Sequence, residues 1–134
     1  MIEFIWPVRV YYEDTDSGGV VYHSNYLNFM ERARTEWLRS MKLEQDDIVN
    51  ELGILFVVRS LTMDYMKPAR FNEALLVKTT VEKLAKASII FEQTIVRESD
   101  GLVLTKGTVK VASLSVEKNR PAPLPDAVRE KFLN

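Results

Sequence analysis

Residues 11–26, YYEDTDSGGVVYHSNY, hold three acids, two adjacent glycines and the chain's single histidine. The glycine pair Gly18 and Gly19 lets the backbone take positive φ or approach another group closely. Beyond it, Val20, Val21, Tyr22 and His23 lead into a helical pattern. A helix start presents unpaired N–H groups and a partial positive charge. Such donors suit an oxyanion developing on an ester or thioester carbonyl. A carboxylate a few residues upstream, at Asp14 or Asp16, supplies the matching base or nucleophile. Together these residue types make a hydrolytic site. The same types also build ordinary Asx turns, so the pattern by itself leaves both readings open.

The flanking elements must position that loop. Residues 5–12 are rich in β-branched and aromatic side chains and read as a first strand, with Pro7 disfavouring a central place in a sheet. After the loop the period changes. Tyr26, Phe29, Met30, Ala33, Trp37 and Met41 recur at helical spacing, opposite Asn28, Glu31, Arg32, Thr35 and Arg39. Ser24 and Asn25 are the expected caps. A shorter helix is expected over residues 43–52, stopping at Gly53. Strands then follow at residues 54–66, 75–84, 88–97 and 102–116, with Glu98, Ser99, Asp100 and Gly101 as a hairpin-like turn. The remaining tail carries Pro121, Pro123 and Pro125 and at best a short polar helix. One strand, one long amphipathic helix and four strands in series predict an α+β domain spanning residues 1–134, its antiparallel sheet wrapped around the helix.

Composition narrows the function. Eighteen basic and nineteen acidic residues in a chain of 134 give a net charge of −1, which does not describe a general nucleic-acid binder. The absence of cysteine excludes disulfides and thiolate chemistry. Asp14 and Asp16 start like a calcium loop, but the fifth and twelfth ligand positions fall on Gly18 and Asn25. One histidine supplies a zinc site poorly, so no metal is expected. The N-terminal residues lack the pattern of a signal peptide. No segment approaches the roughly 20 apolar residues of a membrane span. A cytoplasmic protein is expected.

The run EDTDSGGVVYHSNYLNFMERAR, residues 13–34, resembles the signature of YbgC-like acyl-CoA thioesterases, members of the 4-hydroxybenzoyl-CoA thioesterase family of hot-dog-fold proteins. The resemblance extends over essentially the whole chain. It implies a long central helix wrapped by a curved five-stranded antiparallel sheet, edge-to-edge homodimers and further association into a homotetramer. It implies hydrolysis of acyl-CoA to free acid and CoA, with no cofactor beyond the CoA of the substrate. The family's catalytic carboxylate matches Asp16, and the backbone N–H that polarises the thioester carbonyl matches His23. Gly19, Tyr22 and Asn25 then shape the loop around the substrate. Glu31 is a candidate for substrate choice, and Arg70, Lys86 and Arg120 are candidates for the phosphates of CoA. Acyl carrier protein is a further candidate partner through the same pantetheine thiol.

Each residue has a plainer reading. Asp16 could cap its turn, Asp14 could bind loop amides, His23 could simply pack, and the basic residues could be solvated. The rival functions are a hot-dog dehydratase and a non-catalytic module binding acyl carrier protein or envelope-biogenesis partners. Thiol release against enoyl formation separates the first; the carboxylate at Asp16, which binding alone does not require, weighs against the second.

Overall fold

In the computed structural model, which describes residues 2–133, the helical stripe read from the sequence becomes the centre of the fold. Tyr26, Phe29, Met30, Ala33 and Trp37 are all buried on one side of α1 (Asn25–Ser40). A short helix, α2 (Gln45–Leu52), follows before Gly53. The strands are β1 (Glu3–Arg9), β2 (Ile54–Tyr65), β3 (Ala74–Leu84), β4 (Ser88–Arg97) and β5 (Val103–Ser115). They form one antiparallel sheet in the order β1-β3-β4-β5-β2. Pro7 therefore sits on an edge strand, where a missing N–H costs least. This is the hot-dog arrangement: a curved sheet wrapped around one long helix.

Register explains which side chains meet the helix. Phe4, Thr79, Gln93, Gly107 and Met63 lie opposite one another in a row across all five strands. Their neighbours two residues away, such as Val77, Ile95, Phe91 and Val109, complete the buried face. The adjacent row, with Lys78, Thr94 and Lys106, points outward. Gly107 is required by this packing: a Cβ there would stand 2.5 Å from Met63 Sδ and 2.9 Å from the Thr62 carbonyl oxygen.

Most boundaries move by one or two residues, and two elements depart further from the sequence reading. The first strand ends at Arg9, and Tyr12–Asp14 forms a 3-10 turn where strand was expected to Tyr12. The Asp14 carboxylate captures the Tyr11 amide at 2.8 Å and bends the chain away from the sheet. The tail forms α3 (Asp126–Leu133), which is not merely polar. Val128 is buried against Ile48 and Ile54, while Phe132 meets Trp37 and Phe91 edge-on at 5.1 and 6.0 Å.

The helix does not cover the whole concave face. Leu61 and Tyr65 project from β2 to the same side as Met63, yet they are 41% and 47% exposed. Beside Tyr65, the Tyr26 hydroxyl accepts the buried Ala69 amide at 3.0 Å and so ties the helix start to the segment entering β3. Burial raises the pKa of that hydroxyl, and the amide bond opposes the shift.

Gly107→Ala should cost about 1–3 kcal/mol through overpacking, measurable as a lower urea midpoint at unchanged slope. Tyr26→Phe strands a buried amide and should cost about 1–3 kcal/mol. The check is denaturant unfolding; a loss below a few tenths would remove the Tyr26–Ala69 bond from the account.

Candidate active site

The loop between β1 and α1 is braced from within. Asp14 is 8% exposed. One of its carboxylate oxygens accepts the Tyr11 amide and the other accepts Asn25 Nδ2. Its carbonyl accepts the Tyr22 amide at 2.9 Å. Asp14 is therefore structural, and Asn25 is drawn into the brace rather than capping the helix. Ser24 occupies the N-cap position of α1 but makes no side-chain cap bond.

Asp16 lies on the exposed part of this loop. Its amide donates to the Val20 carbonyl at 2.9 Å, and its Oδ1 accepts the Gly18 amide at 2.8 Å. The turn reading is thus satisfied by one oxygen. Oδ2 has no hydrogen-bond partner among the described residues and remains available for chemistry. Gly19 holds φ +80, a conformation that glycine adopts at little cost. At Gly18 a Cβ would crowd Asp16 Oδ1 at 3.2 Å, so small residues keep the carboxylate accessible.

His23 precedes α1 and is exposed, as is Tyr22, whose ring centroid lies 4.4 Å from the imidazole. The Tyr65 hydroxyl donates to the His23 carbonyl at 3.0 Å. His23, Tyr26, Tyr65, Met66 and Lys67 line a groove of about 240 Å³ at this end of the molecule. The amides of His23 and Ser24 have no acceptor among the described residues, leaving two donors at the helix start. Arg70 is close by: it bridges to Val20, and its own amide donates to Glu73 at 2.6 Å.

Lys86 and Arg120 lie elsewhere. Lys86 follows β3 at the end opposite Arg70, and eleven residues of strand separate the two ends, roughly 33 Å at the usual rise. The Lys86 carbonyl accepts the Leu124 amide, and the Arg120 carbonyl accepts the Ser115 amide, so the tail brings both basic residues to the same far end. Within one chain they are joined to each other and separated from Asp16.

A second cavity, about 320 Å³, opens between α1 and the inner side of β2. Glu31 stands on its wall and is exposed, making no ion pair with Arg34 within 4.0 Å. Arg34 is half-buried there and donates from Nη1 to Gln93 Oε1 at 2.8 Å. Burial lowers the pKa of its guanidinium, and the nearby charge of Glu31 opposes the shift. The sequence reading singled out neither Arg34 nor Gln93 as a site residue. The signal was present in β4, where Gln93 interrupts the inward series of Ile89, Phe91 and Ile95.

Comparison with known proteins agrees with the fold. Residues 18–104 match the thioesterase superfamily. The chain is 46% identical over 129 residues to the acyl-CoA thioesterase YbgC of Haemophilus influenzae, covering 96% of this chain and 93% of that protein. It is 42% identical to the acyl-CoA thioester hydrolase YbgC of Escherichia coli, covering 96% and 95%. Among solved structures, the DHNA-CoA thioesterase of Staphylococcus aureus superposes with a TM-score of 0.89 at 27% identity, over 99% of this chain and 89% of that one. A 1,4-dihydroxy-2-naphthoyl-CoA thioesterase from Synechocystis reaches 0.92 at 23% identity, over 98% and 96%, and supports the fold alone. The chain belongs to the thioesterase superfamily, in its YbgC-like group of acyl-CoA thioesterases.

Proposed function

We propose that this chain hydrolyses acyl-CoA thioesters with Asp16 and the amides opening α1 acting on one carbonyl. The observation that carries the reading is the state of Asp16. Its Oδ1 is fixed by the Gly18 amide while Oδ2 is open, on a loop braced to the helix start by Asp14. The His23 amide receives the carbonyl oxygen as it gains charge, aided by the helix dipole. Asp16 then attacks the carbonyl carbon, expelling CoA thiolate and forming an anhydride that water opens. Alternatively, it takes a proton from water, which attacks in its place. Both routes end in free acid and CoA and need no metal or organic cofactor. The ring of His23 is exposed, and in this reading its backbone does the work. Gly19, Tyr22 and Asn25 hold the loop in shape, and Arg70 lies near enough to meet the CoA phosphates.

The open inner side and outer edge of β2 expose Leu55, Val58, Leu61 and Tyr65. An edge of this kind pairs with another strand unless it is blocked. Antiparallel pairing of β2 with its own copy brings the Ile54 end of one subunit to the Tyr65 end of the other. Lys86 and Arg120 of the partner subunit then approach the Asp16 loop from which their own chain separates them. The functional unit in this reading is a homodimer, with the tetramer a pair of such dimers and the cytoplasm its compartment. Among the described residues no helix is long and apolar enough to cross a membrane.

Asp16→Asn should keep the fold and assembly yet lose more than about 100-fold in kcat, followed by thiol release from a panel of acyl-CoAs. Near-native turnover would remove Asp16 from the mechanism. Single-turnover hydrolysis in heavy-oxygen water distinguishes the routes, since label enters the enzyme's own carboxylate only by nucleophilic attack. A Lys86→Ala/Arg120→Ala protein should show a raised KM. Co-refolding it with Asp16→Asn protein should return KM to the wild-type value in the mixed dimers; an unchanged raised KM would confine each site to one chain.

A further inference from the structure

Arg34 is held in the α1–β2 cavity by a group with no freedom of its own. Gln93 is fully buried, and its Nε2 donates to the Met30 carbonyl and to Thr79 Oγ1, both at 3.0 Å. Its remaining acceptor, Oε1, takes one N–H of Arg34. A guanidinium has five such donors. No carboxylate lies within ion-pair distance of Arg34 among the described residues. Leu38, Phe56, Ile89, Phe91 and Val111 supply an apolar lining to the same cavity. A cation with no carboxylate bonded to it, and with the exposed Glu31 as the nearby negative charge, is thus fixed beside apolar surface.

We propose that Arg34 selects the far end of the acyl group, favouring tails that end in a carboxylate over plain alkyl tails of equal length. The inference rests on the thioesterase reading and names a specificity residue within it. Arg34 lies nine positions beyond the first residue of α1, roughly 13 Å along the axis. A medium-length tail running from a carbonyl at the helix start along the cavity reaches the guanidinium. An alkyl end there strips water from unsatisfied donors, which is costly. A carboxylate end replaces that water with charge-assisted bonds. Because Gln93 fixes the fork, the selection is directional, and a lysine at this position supplies charge without that geometry.

The test compares kcat/KM for octanoyl-CoA and for the mono-CoA thioester of octanedioic acid, by thiol release. The ratio of acid-ended to plain substrate should fall at least tenfold in Arg34→Met, mainly through KM, and at least threefold in Arg34→Lys. A purely structural role lowers both substrates alike; a ratio within threefold of wild type in folded Arg34→Met overturns the proposal. If Arg34→Met does not fold, Arg34→Lys decides, and an unchanged ratio overturns it. Silence of the wild type on every acyl-CoA tested would instead remove the hydrolytic reading. The same ratio is then read from calorimetric Kd values of the two thioesters, with the same thresholds.

Discussion

The carboxylate of Asp14 is the constraint on which the site depends. It takes a backbone N–H from Tyr11 with one oxygen and the amide group of Asn25 with the other, while its carbonyl takes the Tyr22 amide. One buried residue thus joins the end of the first strand, the approach to the helix and the helix itself. Asp16, Gly19 and His23 lie between those anchor points. Loops are ordinarily the mobile part of a domain. This one is tied to two rigid elements, and side chains held in that way keep their relative geometry.

A second constraint is the mismatch between one helix and five strands. A helix with its side chains is about 10–12 Å across, whereas neighbouring strands are spaced nearly 5 Å apart, so a single helix cannot cover the full concave face. The uncovered part falls on β2, where Leu61 and Tyr65 face inward yet stay exposed. The groove beside His23 and the cavity holding Arg34 both border that strand. The open space beside these residues therefore follows from the economy of the fold.

Much of this was readable from residue order because the signals are local. The stripe from Tyr26 to Trp37 is a matter of spacing, and all five of its residues are buried. Pro7 announced an edge strand, and Glu98 to Gly101 announced a turn, which closes with a bond from the Gly101 amide to the Arg97 carbonyl. What was missed depends on partners remote in sequence. Arg34 reads as part of a solvated helical face until Gln93, 59 positions later, is brought beneath it. The tail reads as polar until Trp37 of α1 and Phe91 of β4 are brought to Phe132. The first strand reads as too long because a side chain competes with the sheet for the Tyr11 amide, which β-propensity does not register.

The proline at position 7 has a consequence beyond marking where its strand belongs. A second molecule laid against β1 would meet a gap in the ladder at that residue, whereas β2 presents twelve residues without proline. Growth by strand addition is therefore disfavoured on one side and permitted on the other. Pairing about a twofold axis through β2 would use that edge in both copies and leave only the proline-bearing edges outward. A single imino acid thus makes the two edges of one sheet unequal as places for a further strand to add.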